Sequence, residues 1–350
     1  MHGQSGVGKG TQDFGIDGLR IHGGRVDLAA ALYPSAPTPW IDLSTGINPV
    51  PWPVPPIVLG RYQHLPLASE IAAMVAAAAA AYGRPANAVI LPVPGSELAI
   101  RLLPRMSATG PVGIVAPTYS SHATAWRHVG CDVHELATLP DAGRHDLKTV
   151  IVVNPNNPDG RVIKLEELTG FAQVWTASGR RLIVDEAFAD VQPDTSMLTL
   201  PELPAGTIVL RSLGKFFGLA GLRVGFVVTT GPDATDWRRL LGDWPASGPA
   251  CEIATSALRD SAWIAETRMR LAAQSKRLDD TLGRAGLKLV GGTDLFRLFE
   301  WSDESDLVDH FARAGILVRG FSGASRHYRF GLPADETAWQ RLEAACATLR

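Results

Sequence analysis

Residues 207–226 run Thr207-Ile-Val-Leu-Arg211-Ser212-Leu-Gly214-Lys215-Phe-Phe-Gly218-Leu-Ala-Gly221-Leu-Arg223-Val-Gly225-Phe226, two apolar runs parted by a glycine-rich loop around one lysine. The runs at 207–210 and 224–229 have the length and β-branched content of buried strands. A lysine flanked by apolar residues and glycines is poorly solvated, which lowers its pKa and favours a neutral, nucleophilic amine. Ser212 and Arg223 flank it with a hydroxyl donor and a permanent cation, suited to a phosphate dianion. The glycines allow close backbone approach. A solvated loop lysine would not need that apolar flank.

Working outward, short apolar runs at 88–92, 112–116, 150–153 and 182–184 precede these two, with helical patterns such as 97–106, 121–129 and 165–178 between them. The alternation predicts an α/β fold with a mostly parallel central sheet and helices on both faces. Beyond residue 245 the pattern changes to one long helical stretch, 251–282. Four short strands follow at 287–290, 295–299, 316–319 and 328–331, as in a smaller α+β domain. The Pro/Gly-rich stretch 244–249 marks the boundary. The expected division is a poorly ordered leader at 1–20, a segment at 21–60 joining the small domain to the active site, a large domain at 61–244 and a small C-terminal domain at 245–350.

In open α/β sheets, ligands bind beyond the carboxyl ends of the strands, and here those ends carry complementary polar groups. Asp185 follows the run 182–184, and a buried carboxylate is costly without a positive partner. A protonated pyridine nitrogen would serve, and holding that proton makes such a ring an electron sink. A helix cap or an arginine pair would explain the acid equally well. Asn157, in Asn154-Pro-Asn-Asn157-Pro-Asp-Gly160, offers an amide to a phenolate oxygen, although these are also turn formers. Ser96 and Glu97 open a helical pattern after Pro94-Gly95, so their N–H groups could hold a phosphate, or Ser96 could simply cap the helix. Tyr119 ends another strand and offers an aromatic face, or a core side chain.

Composition narrows the class. The 350 residues are 46% hydrophobic and 19% charged with net charge −2, as in soluble globular proteins, and no basic field argues for nucleic acid or an anionic membrane. Three scattered cysteines, Cys131, Cys251 and Cys346, form no metal-binding spacing and suit a reducing cytoplasm. No run approaches the roughly 20 apolar residues of a membrane span, and the alanine-rich 71–81 predicts a buried or amphipathic helix. No signal peptide is read at the start. The segment from Gly3 to Thr11 resembles a P-loop, but Gly10 stands where Ser or Thr should follow Lys9, and no strand precedes it.

Taken together and in order, these segments resemble the fold-type I pyridoxal 5′-phosphate (PLP) enzymes of the aminotransferase class I/II family, from residue 20 onward. The resemblance implies Lys215 as the Schiff-base lysine, Asp185 on the pyridine nitrogen, Asn157 at the ring hydroxyl and Tyr119 stacked on the ring. It also implies Ser212, Arg223 and backbone groups at Ser96 and Glu97 on the cofactor phosphate. Tyr62 would come from a neighbouring subunit, which implies a homodimer, and Arg329 would grip the substrate carboxylate. Two departures stand out: Phe188 where many relatives have tyrosine, and Gly214 where many have serine.

Within the family, Ile21-His22-Gly23-Gly24-Arg25 and Ile41-Asp-Leu-Ser-Thr-Gly46-Ile-Asn48-Pro49 resemble the branch that decarboxylates O-phospho-L-threonine for cobalamin synthesis. That branch yields (R)-1-aminopropan-2-yl phosphate and CO2. The resemblance implies His22, Gly23, Gly46, Asn157, Arg319 and Arg329 at a phosphorylated amino-acid substrate, with asparagine in some relatives where Gly46 stands. The nearest alternative is a histidinol-phosphate aminotransferase, and outside enzymes a catalytically silent binding module of the same fold.

Overall fold

The computed structural model describes residues 15–106, 110–321 and 326–349. The P-loop-like segment from Gly3 to Thr11 and the first fourteen residues of the expected leader lie outside them. The expectation of disorder to residue 20 does not hold for its end. Gly15–Arg20 form a 3-10 helix with Leu19 buried, because that leucine has an apolar wall to pack on.

In chain order the strands are β1 (Ile41–Asp42), β2 (Ala88–Val93), β3 (Val112–Val115), β4 (Val133–Leu136), β5 (Thr149–Val153), β6 (Arg181–Asp185), β7 (Thr207–Ser212), β8 (Gly225–Thr230), β9 (Lys288–Thr293), β10 (Phe296–Glu300), β11 (Ile316–Leu317), β12 (Arg319–Gly320) and β13 (His327–Gly331). Seven form one sheet in the order β2-β8-β7-β6-β5-β3-β4. Pairing is parallel from β7 through β4, and β8 alone runs antiparallel to its neighbours β7 and β2. The central strands are buried along their whole length, which explains their unbroken apolar runs rather than alternation. Strand β4, read as Val-His-Glu-Leu, was not expected, because an edge strand with half-exposed polar residues lacks that signal.

The second sheet is antiparallel, in the order β12-β13-β10-β9, while β1 and β11 form a separate parallel pair. The expected strand at 316–319 is thus two strands in two sheets, divided at Val318. The expected helix at 251–282 is likewise two, Gly248–Arg259 and Ser261–Arg284. Asp260 makes the break: its Oδ1 caps the second helix by accepting from the Trp263 N–H (3.0 Å), and its Oδ2 accepts from Trp52 Nε1 (3.1 Å). Helix Gly248–Arg259 packs along helix Ala68–Tyr82, which buries Met74, Ala77, Ala78 and Tyr82. Helix Gly248–Arg259, which follows the expected boundary at 244–249, thus packs on a helix of the large domain.

Candidate active site

The strand ends expected to converge do converge. Val93 of β2, Ser212 of β7 and Gly225 of β8 share one cross-strand row, and Asp185 ends β6 beside Val153 of β5. Gly225 is required there: a Cβ would lie 2.7 Å from the Ser96 N, so the start of helix Ser96–Met106 rests directly on the sheet. Gly95 (φ 84°) takes the left-handed turn into that helix, and the Arg223 guanidinium packs against it. Leu98 N–H donates to Gly95 O (3.1 Å), so the Ser96 and Glu97 N–H groups precede the helix's first bond. Arg223 itself is left-handed (φ 56°), a conformation that costs a non-glycine residue on the order of 1 kcal/mol and that marks functional sites.

These elements enclose a cavity of about 280 Å³ lined by Ser96, Glu97, Tyr119, Asn157, Asp185, Phe188, Ser212, Lys215 and Arg223. Lys215 lies partly exposed at its floor, its Nζ 5.6 Å from the centre of the Phe188 ring. Burial, and then the nearby Arg329 cation, bring its amine down to about 8. Asp185 is buried, and its Oδ1 accepts from the Ala187 N–H (3.1 Å) while Oδ2 accepts from His122 Nε2 (3.0 Å). His122 was missed in the sequence, where little marks it apart from His128 of the same mixed helix, Ser120–His128. Its spacing three residues after Tyr119, in Tyr119-Ser-Ser-His122, was the available signal. Tyr119 donates its hydroxyl to Glu97 Oε2 (3.1 Å), so Glu97 brings a side chain as well as a backbone group. Behind the row, Arg211 bridges Glu186 (3.3 Å) and Asp190 (2.9 Å) in a buried network that ties the ends of β6 and β7 together.

A second hollow of about 230 Å³ opens from the first and shares Tyr119, Asn157, Phe188 and Lys215 with it. His22, Gly23, Gly46, Arg319 and Arg329 line its far side. Arg319 and Arg329 stand directly opposite each other on β12 and β13. Arg329 is buried and donates to Asn157 Oδ1 and to Ser44 O (2.6 Å), which leaves the Asn157 Nδ2 free to act as donor. Arg319 donates to Ile21 O (2.9 Å). Among the described residues, buried Arg319 Nη1 and Arg329 Nε have no hydrogen-bond partner, and desolvation brings both guanidiniums down to about 10. Burial, then the Arg319 charge, also lower the His22 imidazole. Two adjacent, desolvated cations with donors to spare have the chemistry to bind an anion.

The segment 41–48 joins both halves. Ser44 accepts Gly24 N–H (2.7 Å) on its hydroxyl and Arg329 on its carbonyl, and Asn48 N–H donates to Lys215 O (2.9 Å). A Cβ on Gly46 would lie 2.8 Å from the Phe296 ring and 2.9 Å from that of Phe188, two rings that meet edge-on at 5.0 Å. Gly46 therefore supplies room for that aromatic pair rather than a polar contact of its own. Tyr62 is outside the cleft on an exposed short helix, Gly60–Gln63.

The donor set fits PLP: a fixed carboxylate for a ring nitrogen, an amide donor for a ring oxygen, a lysine amine, and a cation, hydroxyl and helix start for a phosphate. A family model described as "Aminotransferase class I and II" matches residues 59–346. Among curated relatives, a threonine-phosphate decarboxylase of Pseudomonas aeruginosa is 42% identical, covering 93% of this chain and 96% of its own. A second, from a Sinorhizobium species, is 40% identical over 94% of this chain and 98% of its own. In fold, the chain resembles the crystal structure of histidinol-phosphate aminotransferase from Sinorhizobium meliloti in complex with pyridoxal-5′-phosphate. That match has a TM-score of 0.77 at 20% identity, covering 93% of this chain and 95% of that one.

Proposed function

The chain belongs to the aminotransferase class I and II family, and on that footing we propose that it is a PLP-dependent decarboxylase of O-phospho-L-threonine. Its products would be CO2 and (R)-1-aminopropan-2-yl phosphate, a cobalamin precursor. The observation that carries this reading is the pair Arg319 and Arg329, adjacent across β12 and β13 and holding unused donors. O-phospho-L-threonine bears a carboxylate and a phosphate on neighbouring carbons, so it presents two anions to two adjacent cations. Histidinol phosphate carries only one anionic group, although the 2-oxoglutarate that such an aminotransferase also takes carries two, so the assay below separates the readings.

In this reading Asp185, oriented by His122, keeps the ring nitrogen protonated, and Asn157 donates Nδ2–H to the ring oxygen. Ser212, Arg223 and the N–H groups at Ser96 and Glu97 hold the cofactor phosphate, and Tyr119 lies on the ring face. When bound, PLP supplies an electron sink for the bond broken at Cα. Arg329 binds the substrate carboxylate, and Arg319 with His22 and the backbone at Gly23 binds its phosphate. Lys215 Nζ, brought down to about 8, is available both to hold the cofactor and to return a proton at Cα. Phe188 adds no hydroxyl to the site, so Asn157 alone would serve the ring oxygen.

The test is to supply O-phospho-L-threonine to the PLP-loaded protein without any keto acid, and to assay CO2 and the amine phosphate. Sustained release of both is expected. Amino transfer from histidinol phosphate to 2-oxoglutarate, with no CO2 from phosphothreonine, would overturn the reading in favour of an aminotransferase.

A homodimer belongs to the same proposal. Val58, Leu59, Tyr62, Leu65 and Leu67 are exposed within one short segment, which a second copy would cover while bringing Tyr62 to the neighbouring site. The cytoplasm is the compartment we infer from three unpaired cysteines. No helix among the described residues is long and apolar enough to cross a membrane.

A further inference from the structure

His22 and Gly23 belong to a segment with little capacity to hold itself in place. The 3-10 helix before them spans only Gly15–Arg20, and a piece that short has no independent stability. Something in the tertiary structure must therefore fix where His22 stands relative to Arg319. Two residues are placed to do so. Leu19 is 1% exposed, and the 3-10 helix that carries it packs against β12 and helix Leu307–Arg313. Arg20 turns its guanidinium inward, pairing its Nη2 with the Asp306 carboxylate; its side chain is 17% exposed.

Arg20 makes a looser pair with the exposed Asp17 of its own 3-10 helix (3.7 Å), and its other neighbours belong to the elements that carry Arg319. Asp306 is the cap of helix Leu307–Arg313, its Oδ1 accepting from the Val308 N–H (3.0 Å). The Tyr328 hydroxyl lies beside Arg20 and is raised above its ordinary pKa, chiefly by burial. Gly320, which follows Arg319 in β12, lies against Val308 and Arg20: a Cβ there would stand 2.8 Å from Val308 Cγ2 and in ordinary contact, 3.6 Å, with Arg20 Nη1. The next residue, Ile21, accepts the Arg319 Nη2–H on its carbonyl (2.9 Å). A continuous path thus runs from Asp306 through Arg20 and the Ile21 carbonyl to the Arg319 side chain, whose Nη1 has no partner among the described residues.

We propose that Arg20 is a positioning residue, locking the His22 segment and the Arg319 guanidinium into one anion-binding unit through its pair with Asp306. The proposal rests on the functional reading above only in naming the anion as the phosphate of the substrate. Arg20 touches neither substrate nor cofactor, so it acts on binding and leaves the chemistry at Lys215 alone.

Arg20→Gln removes the charge and shortens the side chain while keeping a polar end, and Asp306→Asn removes the partner's charge at unchanged size while retaining a good helix cap. The expected result for each is a KM for O-phospho-L-threonine raised about tenfold, the range seen when a group that orients a ligand's direct partner is lost. kcat and the absorbance of the bound cofactor should hold at parental values. The double variant should be no worse than either single, and Arg20→Lys should recover part of the loss. Calorimetric titration of the holoenzyme with inorganic phosphate gives a readout independent of the reaction, with phosphate binding weakened in the same proportion. A merely structural role would instead lower thermal stability and kcat together, which overturns the proposal. So would a KM and a phosphate affinity within about twofold of the parent. If the parent releases no CO2 but Arg20→Gln still weakens phosphate binding, the decarboxylase reading fails and the positioning role stands.

Discussion

Replacing Lys215 by methionine should make the cofactor-free protein more stable, and by an amount that depends on pH. The amine is brought from 10.5 to about 8, first by burial and second by the Arg329 charge. At roughly 1.4 kcal/mol per pH unit that corresponds to about 3 kcal/mol of penalty on the protonated form. Lys215 is partly open to the cleft, so solvent screening reduces the figure to about 2 kcal/mol. Near pH 7, below both values, folded and unfolded chains are both protonated at this site and the whole penalty is present. Between about 8 and 10.5 the unfolded chain binds more protons than the folded one, so stability rises with pH until the penalty is gone. Methionine fills a similar volume without the charge. Urea unfolding of the two cofactor-free proteins should therefore differ by about 2 kcal/mol near pH 7, with the gap closing near pH 10.5. Equal stabilities near pH 7, or a gap that persists unchanged at the higher pH, would refute the reasoning.

Two further outcomes follow from contacts at the site. His122→Phe should weaken PLP binding about tenfold or more, because Asp185 keeps only the Ala187 N–H and losing a buried partner costs roughly 1–3 kcal/mol; an absorbance titration giving parental affinity would deny His122 that role. Gly46→Ala should cost about 1–3 kcal/mol in urea unfolding, since its methyl group meets Phe188 and Phe296 and one ring must shift. A change under about 0.5 kcal/mol would mean the aromatic pair is loosely held.

The cofactor half of the site was legible because it is written locally. Lys215, Ser212 and Arg223 sit within twelve residues, and the apolar runs of β5, β6 and β7 give way to Asn154, Asp185 and Arg211 at the strand ends. The large sheet follows from the same cause, since buried parallel strands are unbroken apolar runs. What the sequence hid depends on register and on distance along the chain. That Arg319 and Arg329 face each other is a fact of antiparallel pairing between two short strands, and β12 could not be told from β11 across one continuous apolar run. The break at Asp260 was hidden because its cause, a cap and a bond to Trp52, needs a residue 208 positions away. Arg20 gives no local signal either, since its partner Asp306 lies 286 positions on.

The two halves carry different kinds of decision. Asp185, Asn157, Ser212 and Arg223 would serve decarboxylation and amino transfer alike, since both need the same electron sink. What distinguishes the reactions is which bond at Cα is broken, and that depends on where the carboxylate is held relative to Lys215. Arg329 sits on the small sheet and Lys215 beyond the carboxyl end of β7 in the large one, and the segment 41–48 bonds to both: Ser44 O to Arg329, Asn48 N–H to the Lys215 carbonyl. Gly46, between them, lets Phe188 and Phe296 close into one wall, with Lys215 Nζ 5.6 Å from the first ring and the Arg329 guanidinium 5.1 Å from the second. The separation of amine and carboxylate grip is thus set by a short backbone stitch and an aromatic pair, neither of which touches the cofactor's phosphate or ring nitrogen. On the proposed reading, reaction outcome is decided there, and changes to the cofactor residues alter how fast the protein works more than which bond it breaks.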